Sequence, residues 1–585
     1  MSHYITKLSV QNFKSCRDLS VDLTEFVPLV GYNNAGKSNV LSALEWLFKD
    51  RLLSSSDFND PVRDIVVEGE IVGVDEAILA RLDVKHRRSI EGFVVDEKIR
   101  IRRTQSPDAT KKGDIELSVY HPGGEYRSNP AGIWNAIKQL FPEPIRIAAM
   151  DNAAEDATKA KTTSTIGKLL AEFCTAVRQK NAGLIDRHLG AISRRLGADG
   201  NRRLPELNTI DNSINTKIEE LFPGISLKLH FEIPTFEELF KSGTVKIYEG
   251  DDVARDFTAY GHGAQRSVQM ALVRHLAEVK RGIDSPTTTL LLIDEPELYL
   301  HPFAIEQVRE ALHTLSKNGY QIVFSTHSAQ MITADRAQHT LLIRKTADQG
   351  TYARKRLQDA LNIVLPNAVA QSQHLFALSQ SSSVLFANRV ILTEGKTELR
   401  LLPHIYKLVS GYTLGQHQLA MVETGSVDSI SKTLSVLHEM DIPALAIVDL
   451  DYAFRGGIRN GFITLLDEPM IKLLAMLRQM EVDGICALNG GLPTSSNSPI
   501  SAAKAFELLA AKVEAVPYIA ELHEKLLDKN IWLWKSGAIE AHLGLADKSE
   551  AVWAAFKISA DTLGLEASCA DFASVRDLSN WIGRV

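Results

Sequence analysis

Four cysteines in 585 residues is few, and Cys16, Cys174, Cys486 and Cys569 are too scattered to form a metal-type pair. Neither a disulfide-stapled scaffold nor a zinc module is expected, and a reducing cytoplasm is the simplest home. No apolar run approaches the roughly 20 residues that span a bilayer, so no membrane partner is expected. The first residues, Met1 to Lys7, lack the apolar core of a signal peptide. Positive charge is also short: 65 Lys and Arg against 72 Asp and Glu leave a net −7, which argues mildly against a nucleic-acid binder. That total conceals two basic stretches. One holds Arg178, Lys180, Arg187, Arg194, Arg195, Arg202 and Arg203 against Asp186 and Asp199; the other holds Arg344, Lys345, Arg354, Lys355 and Arg356. Each reads equally well as a solvated helix face or as phosphate contacts.

What is present begins with Gly31-Tyr32-Asn33-Asn34-Ala35-Gly36-Lys37-Ser38, a phosphate loop complete at every fixed position. It follows a strand-like run, Phe26 to Val30, and opens a helical pattern, Val40 to Phe48. Loop N–H groups, including those at Asn34 and Gly36, would cradle phosphate oxygens at a helix N-terminus. Lys37 would reach the β- and γ-phosphates of ATP and Ser38 would hold Mg²⁺. Further on, Leu290 to Ile293 runs into Asp294-Glu295. A buried strand delivering two carboxylates is a Walker B arrangement, with Asp294 supporting Mg²⁺ through water and Glu295 polarising the attacking water. A later strand, Gln321 to Thr326, ends at His327, placed to sense the γ-phosphate.

At this length three or four domains are expected, and 45% hydrophobic with 23% charged residues suits a globular chain. Strands are expected at 66–72, 93–102, 115–120, 225–233 and 245–248, and a helical block over 153–221. Residues 365–383 read as a linker. Beyond it the pattern alternates: strand 389–393, helix 399–409, strand 419–423, helix 427–440, strand 443–448. That is a second α/β domain with a mostly parallel sheet. Residues 489–498 read as a loop, and the tail as mostly helical with a short strand at 531–534.

The second domain carries its own carboxylates. One strand ends in Glu394-Gly395-Lys396-Thr397-Glu398 and another in Asp449-Leu450-Asp451. Asp449 and Asp451, two apart on a strand, would point the same way, and Glu398, four after Glu394, could face the same cleft. Hard oxygen ligands from several strand ends make a divalent-metal site suited to phosphodiester cleavage. Lys535 and Glu540 follow the strand 531–534, and Glu423 and Asp428 are additional acids.

Several of these motifs resemble known families. Ile5-x-x-Leu8-x-Val10-x-Asn12-Phe13-Lys14-Ser15, the phosphate loop, Asp294-Glu295-Pro296-Glu297 and Ser325-Thr326-His327-Ser328 together resemble the ABC-type ATPase heads of the SMC, RecF and OLD families. The resemblance implies a glycine-rich signature binding ATP across a dimer; Tyr260-Gly261-His262-Gly263-Ala264-Gln265-Arg266-Ser267 occupies its place but departs from Leu-Ser-Gly-Gly-Gln, with Gly261 and Gly263 offering N–H groups. The absence of a long heptad coiled coil and of a Cys hook separates the chain from SMC and Rad50-like proteins. Glu394, Asp449 and Asp451 resemble the Toprim fold, with Glu398 a further ligand. ATPase, helical insertion and Toprim in one chain is the layout of the OLD (overcoming lysogenisation defect) nucleases, relatives of the Gabija nuclease subunit.

The fold implied is α/β. An ABC-type head (1–152 and 223–364) carries an inserted helical dimerisation domain (153–222) and precedes a Toprim domain with helical elements (384–585). Lys535 would steady the scissile phosphate and Glu540 would add a ligand for a second metal; Mn²⁺ or Ca²⁺ could replace Mg²⁺ there. The activity implied is ATP-linked, metal-dependent DNA cleavage in anti-phage or anti-plasmid defence. The partners implied are DNA and a second copy of the chain, with an accessory protein left open. A repair or recombination ATPase using Toprim as a DNA platform is the alternative; three strand-end carboxylates exceed what a platform needs.

Overall fold

The computed structural model describes residues 3–141, 144–149, 181, 183–234, 246–248, 253–256, 259–280, 288–333, 336–365, 382–425 and 427–584. The chain forms two compact units: Met1–Val27, Gly36–Thr326 and Ala347–Thr351 make the first, and Pro28–Ala35, His327–Thr346 and Tyr352–Val585 the second.

In the first unit β1 (Tyr4–Phe13) and β2 (Cys16–Asp22) form an antiparallel pair, and β3 (Phe26–Val30) follows and leads into the phosphate loop. β4 (Ile65–Val72), β5 (Ile99–Gln105), β6 (Glu116–His121) and β7 (Glu125–Ser128) extend β1 as an antiparallel meander. Burial alternates along β4, so one face packs inward. The other carries cross-strand charge pairs, Arg100 Nε–Glu70 Oε2 at 2.7 Å and Arg102–Glu68 at 2.5 Å. The three-residue β8 (Ile145–Ile147) lies beside later strands. β9 (Lys246–Tyr248) and β10 (Ala254–Asp256) make a separate hairpin. β11 (Thr289–Asp294) is flanked in parallel by β8 and β12 (Tyr320–Thr326). All residues of β11 and β12 are buried, which explains their unbroken apolar runs.

Two expected strands change here. Residues 93–102 hold a 3₁₀ turn ending at Phe93 and a tight reversal between Val95 and Lys98, with Asp96 and Glu97 at positive φ, before β5 begins. Residues 225–233 form no strand. Their backbone is held by side chains of the helix Pro205–Leu221 instead: Asn215 bonds both the N–H and C=O of Leu227, and Asp211 accepts from Leu229 N–H. Of the expected helical block, residues 183–196 and Pro205–Leu221 are helical; 153–180 lies outside the described residues.

In the second unit the last residues of β3 pair in parallel with β13 (Leu341–Thr346). β14 (Gly350–Ala353) begins in the first unit, where Gly350 opposes Cys16. Of the expected linker, 366–381 lies outside the described residues. The Toprim-like sheet is four parallel strands, β15 (Arg389–Thr393), β16 (Leu419–Glu423), β17 (Ala444–Val448) and, later in the chain, β20 (Ile531–Leu533), ordered β16-β15-β17-β20. Alternate residues feed two cores. Val390, Leu392, Ala446, Val448, Ile531 and Leu533 enter one; Ile391, Leu445, Ile447 and Trp532 enter the other. Both faces are covered, and the carboxyl ends of the strands stay open for a site. The expected loop at 489–498 contains a hairpin, β18 (Ala487–Asn489) with β19 (Leu492–Thr494), turned by Gly490 and Gly491 at positive φ.

Candidate active sites

The phosphate loop runs from β3 into the helix Lys37–Phe48. Asn34 has a φ of 67° and Gly36 a φ of 100°. A Cβ on Gly36 would sit 2.0 Å from Thr351 Oγ1, so only glycine fits. Lys37 is buried, and Ser38 Oγ donates to Asp294 Oδ1 at 3.0 Å. The Walker A hydroxyl and the Walker B carboxylate are therefore already in contact. Ser325 Oγ donates to the same oxygen at 2.9 Å, and the Arg146 guanidinium pairs with Asp294 Oδ2.

Glu295 leaves β11 in a left-handed turn, φ 47°, and its N–H donates to Ser325 O at 3.0 Å. Arg266 fastens that turn, donating to the carbonyls of Asp294 and of Glu295, the latter at 2.7 Å. Burial pushes its pKa down to about 10 against the pull of Glu297, Asp294 and Glu295. Gly261 and Gly263 bracket the start of the helix His262–Lys280, and a Cβ at Gly261 would meet nothing within 4 Å. His327 follows β12 and is exposed.

In the second unit Glu394 follows β15, and Glu398 lies in the first turn of the helix Lys396–Ser410, which starts before the expected 399. Asp449 and Asp451 are not paired by a strand pleat. β17 ends at Val448 and Asp451 opens a short helix, Asp451–Phe454, so a turn aims both at the strand ends. Burial lifts the Glu394 pKa to about 7, and the Asp451 charge adds to it. Burial likewise raises Glu398, with the charges of Glu540 and Glu394 contributing, and raises Asp449, with Glu398 and Glu394 contributing. Asp451 is raised by burial against the nearby Arg455.

Glu540, in the helix Ile539–Leu543, is buried and accepts from Thr397 Oγ1 at 2.5 Å. Lys548 reaches in, its Nζ 3.3 Å from Glu540 Oε1, and opposes the raised pKa of Glu394, Glu398, Asp449 and Asp451. Lys535 lies in the turn after β20, half-buried, and its charge acts on His523 and His542.

Among the described residues no three His, Cys, Asp or Glu side chains already converge as a ligand set. The donors nevertheless suit a hard divalent cation. Glu394 Oε2 and Glu540 Oε2 are buried with no hydrogen-bond partner, and the surrounding carboxylates repel one another.

Sequence reasoning missed Arg146, Arg266, Ser325, Thr397 and Lys548 as parts of these sites. Arg146 sits in a three-residue strand too short to leave a pattern, and Lys548 lies in an unpatterned loop. Four of the described basic residues in the two stretches are paired within the chain, whereas Arg187, Arg194, Arg195 and Arg202 are exposed. Arg203 pairs with Asp211 at 2.6 Å, Lys355 with Glu439 at 2.6 Å, Arg354 with Asp441 at 3.5 Å and Arg356 with Asp359 at 2.8 Å.

A phosphate loop bound to an acidic strand end, followed by a parallel sheet whose strand ends gather carboxylates, defines an ATPase joined to a Toprim domain. Residues 26–332 match the family described as AAA domain, putative AbiEii toxin, Type IV TA system, and 385–451 match the overcoming lysogenization defect protein-like TOPRIM domain. The chain is 38% identical over 558 residues to the Old nuclease of Escherichia phage P2, covering 94% of each. It is 22% identical over 457 residues to the OLD nuclease of Thermus scotoductus, covering 76% of this chain and 82% of that one. A crystal structure of an Smc head bound to the C-winged helix domain of ScpA aligns with 61% of this chain and 99% of its own, at 16% identity and a TM-score of 0.38. The chain belongs to the OLD nuclease family and is an ATPase and a nuclease. Among the described residues no helix is long and apolar enough to cross a membrane.

Proposed function

We propose that the chain is an ATP-regulated, divalent-metal-dependent DNA nuclease acting against phage or plasmid DNA, working as a homodimer or larger assembly. The observation that carries the metal requirement is the pair of orphaned buried oxygens, Glu394 Oε2 and Glu540 Oε2, in a cluster of mutually repelling acids. Glu394, Glu398, Asp449, Asp451 and Glu540 would hold the metal; Mg²⁺ is the expected ion, with Mn²⁺ or Ca²⁺ as substitutes. A bound divalent cation supplies charge neutralisation and an activated water for phosphodiester hydrolysis. Lys535, in the turn after β20, or Lys548, whose Nζ lies 3.3 Å from Glu540 Oε1, would supply positive charge to the scissile phosphate.

In the ATPase, Asn34, Gly36, Lys37 and Ser38 hold the nucleotide phosphates, and Ser38 and Asp294 position its Mg²⁺. Glu295 and His327 act on the γ-phosphate, and Gly261 and Gly263 serve a partner's nucleotide. The dimer reading is supported by apolar side chains left exposed in the inserted block: Leu184 at 53%, Ile192 at 45% and Ile210 at 45%. The division 1–152, 153–222, 223–364 and 384–585 is kept as the domain scheme. The defence role rests on the toxin-type family name and the phage-encoded relative.

The test is cleavage of supercoiled and linear DNA with Mg²⁺, Mn²⁺ or Ca²⁺, with and without ATP, by wild-type and folded Asp449→Ala protein. Losing a carboxylate that neutralises the metal should cost orders of magnitude in cutting. Undiminished cutting by Asp449→Ala would overturn the site. A monomer by light scattering at micromolar concentration, with and without nucleotide, would overturn the assembly.

A further inference from the structure

In the first unit, the helix 183–196 and the loop after it carry five arginines in seventeen residues, Arg187 to Arg203, with Asp199 the one acid between them. Arg187, Gly190 and Arg194 are spaced by three and then four residues, so they share a helix face. Gly190 puts no side chain between the two arginines. A Cβ there would stand 3.5 Å from Arg194 Nη1, so this guanidinium lies back along the helix toward the turn of Arg187. The loop then folds onto the helix end. A Cβ on Gly200 would stand 2.1 Å from Arg194 O, and Arg202 N–H donates to that oxygen at 3.2 Å, which sets Arg202 beside Arg194 and Arg195. Arg203 instead turns inward. It pairs with Asp211 at 2.6 Å and donates to the carbonyls of Leu196 at 3.4 Å and Gly197 at 2.8 Å. The cation that favours a helix carboxyl end is thereby supplied. Arg187, Arg194, Arg195 and Arg202 stay exposed and make no ion pair among the described residues. Asp199 lies 3.7 Å from Lys228 Nζ, and Asp186, just before the row, is exposed.

We propose that these four arginines are a DNA-holding surface of the first unit, gripping the phosphate backbone of a duplex without reading its sequence. This rests on the reading of the chain as a DNA nuclease and adds to it a contact that the cutting residues of the second unit do not supply. Those residues are acids, and the chain as a whole carries a net −7, so affinity for a polyanion has to come from cations gathered locally. Guanidiniums held together without acids repel one another, and a row of phosphates relieves that repulsion through charge-assisted hydrogen bonds. Arg187 and Arg194 start about 10 Å apart along the helix. A duplex carries a charge about every 1.7 Å of its axis, so each finds its own phosphate. Leu184 and Ile192, exposed and assigned above to contact between copies, lie about 100° round the helix from Arg187 and Arg194. A dimer formed through them would leave this arginine face open and present it twice.

The experiment measures binding of two fluorescent DNA duplexes of unrelated sequence to the full chain by anisotropy, in EDTA across a KCl series, and then the kinetics of cutting with Mg²⁺. Arg187→Ala, Arg194→Ala, Arg195→Ala and Arg202→Ala should each lower the slope of log affinity against log salt by about one, and equally for both duplexes. The quadruple alanine variant should lower it by about three or more. In cutting, that variant should raise KM for DNA about tenfold or more with kcat nearly unchanged, because the contact holds the substrate and takes no part in the chemical step. ATP turnover without DNA should be that of the wild type. The quadruple lysine variant keeps the charge and should restore slope and KM. A slope that lysine does not restore would mean that the arginines hold the fold or the assembly rather than phosphate, and would overturn the proposal. Wild-type slope and KM in the quadruple alanine variant would return the row to a solvated helix face. Wild-type protein that cuts DNA while that variant binds and cuts normally sinks this inference alone; wild-type protein that neither binds nor cuts sinks the nuclease reading beneath it.

Discussion

Asp571 Oδ2 lies 2.8 Å from His542 Nδ1, and this contact fixes the histidine's tautomer. Ser536 N–H donates to His542 Nε2 at 3.1 Å, so that nitrogen accepts and Nδ1 carries the proton that goes to Asp571. Burial lowers the His542 pKa, in keeping with a neutral ring. The contact continues toward the carboxylates: one residue past Ser536, Gly537 C=O accepts from Leu450 N–H at 2.7 Å, between Asp449 and Asp451. The C-terminal helix Phe572–Arg584 is thus tied to the turn that aims two of the acids.

His542→Ala and Asp571→Asn should therefore raise the metal concentration for half-maximal DNA cutting by roughly ten- to hundredfold, as second-layer changes around metal ligands do. Metal titration of cleavage in both variants checks this; an unchanged midpoint in folded protein would reduce the pair to simple packing.

Much of this was legible in the sequence, for a physical reason. β15 and β17 are short, buried on both faces and end in acids, and the edge strand β16 is short and ends at Glu423, so apolar runs stopping at acids mark them. The phosphate loop and Asp294-Glu295 were legible because their chemistry demands fixed residue types. Arg266 and Lys548 were not, because an isolated cation gains its role only when the chain brings it to a distant carbonyl or carboxylate. The Asp449–Asp451 turn was misread because period-two reasoning holds only while a strand lasts, and β17 stops at Val448. Residues 225–233 looked like a strand but found side-chain partners on a helix before any ladder.

In the ATPase, Lys37→Ala should abolish nucleotide turnover and Glu295→Gln should bind ATP without hydrolysing it. Gly36→Ala should do comparable harm, because its Cβ would overlap Thr351 Oγ1 at 2.0 Å in a left-handed backbone. Phosphate release and nucleotide-binding assays check all three. Wild-type turnover in both Lys37→Ala and Glu295→Gln would remove the assignment.

Without metal, the acidic cluster should make stability fall as pH rises. Glu394, Glu398, Asp449 and Asp451 have folded pKa values raised above the ordinary carboxylate range, so the folded chain binds more protons than the unfolded one until pH passes the folded values. His3, His339, His523 and His542 have lowered values and act in the opposite sense, but only below their ordinary 6.5. In EDTA the Tm should therefore drop between about pH 6.5 and about pH 8.5, and added Mg²⁺ should raise it more at the upper end. Thermal scans across that window check the sign. A Tm that rises with pH in EDTA would mean that the acids are not raised together.

Two lysines compete for the role of the site's fixed cation. Lys535 follows β20 and its charge acts on two histidines, whereas Lys548 lies 3.3 Å from Glu540 Oε1 and acts on every acid of the cluster. Removing the Lys548 charge leaves those acids with less to oppose their repulsion. Lys548→Met should therefore lower the Tm in EDTA at about pH 8 more than Lys535→Met does, and saturating Mg²⁺ should close most of the gap, since the cation then supplies the missing charge. DNA cutting should separate the two differently: the lysine nearer the scissile phosphate should cost cutting even at saturating Mg²⁺, where the stability difference has vanished. Tm and cleavage measured on both variants, each across a Mg²⁺ series, assign the two roles. Equal Tm values for the two variants in EDTA would show that Lys548 does not hold the acidic cluster together.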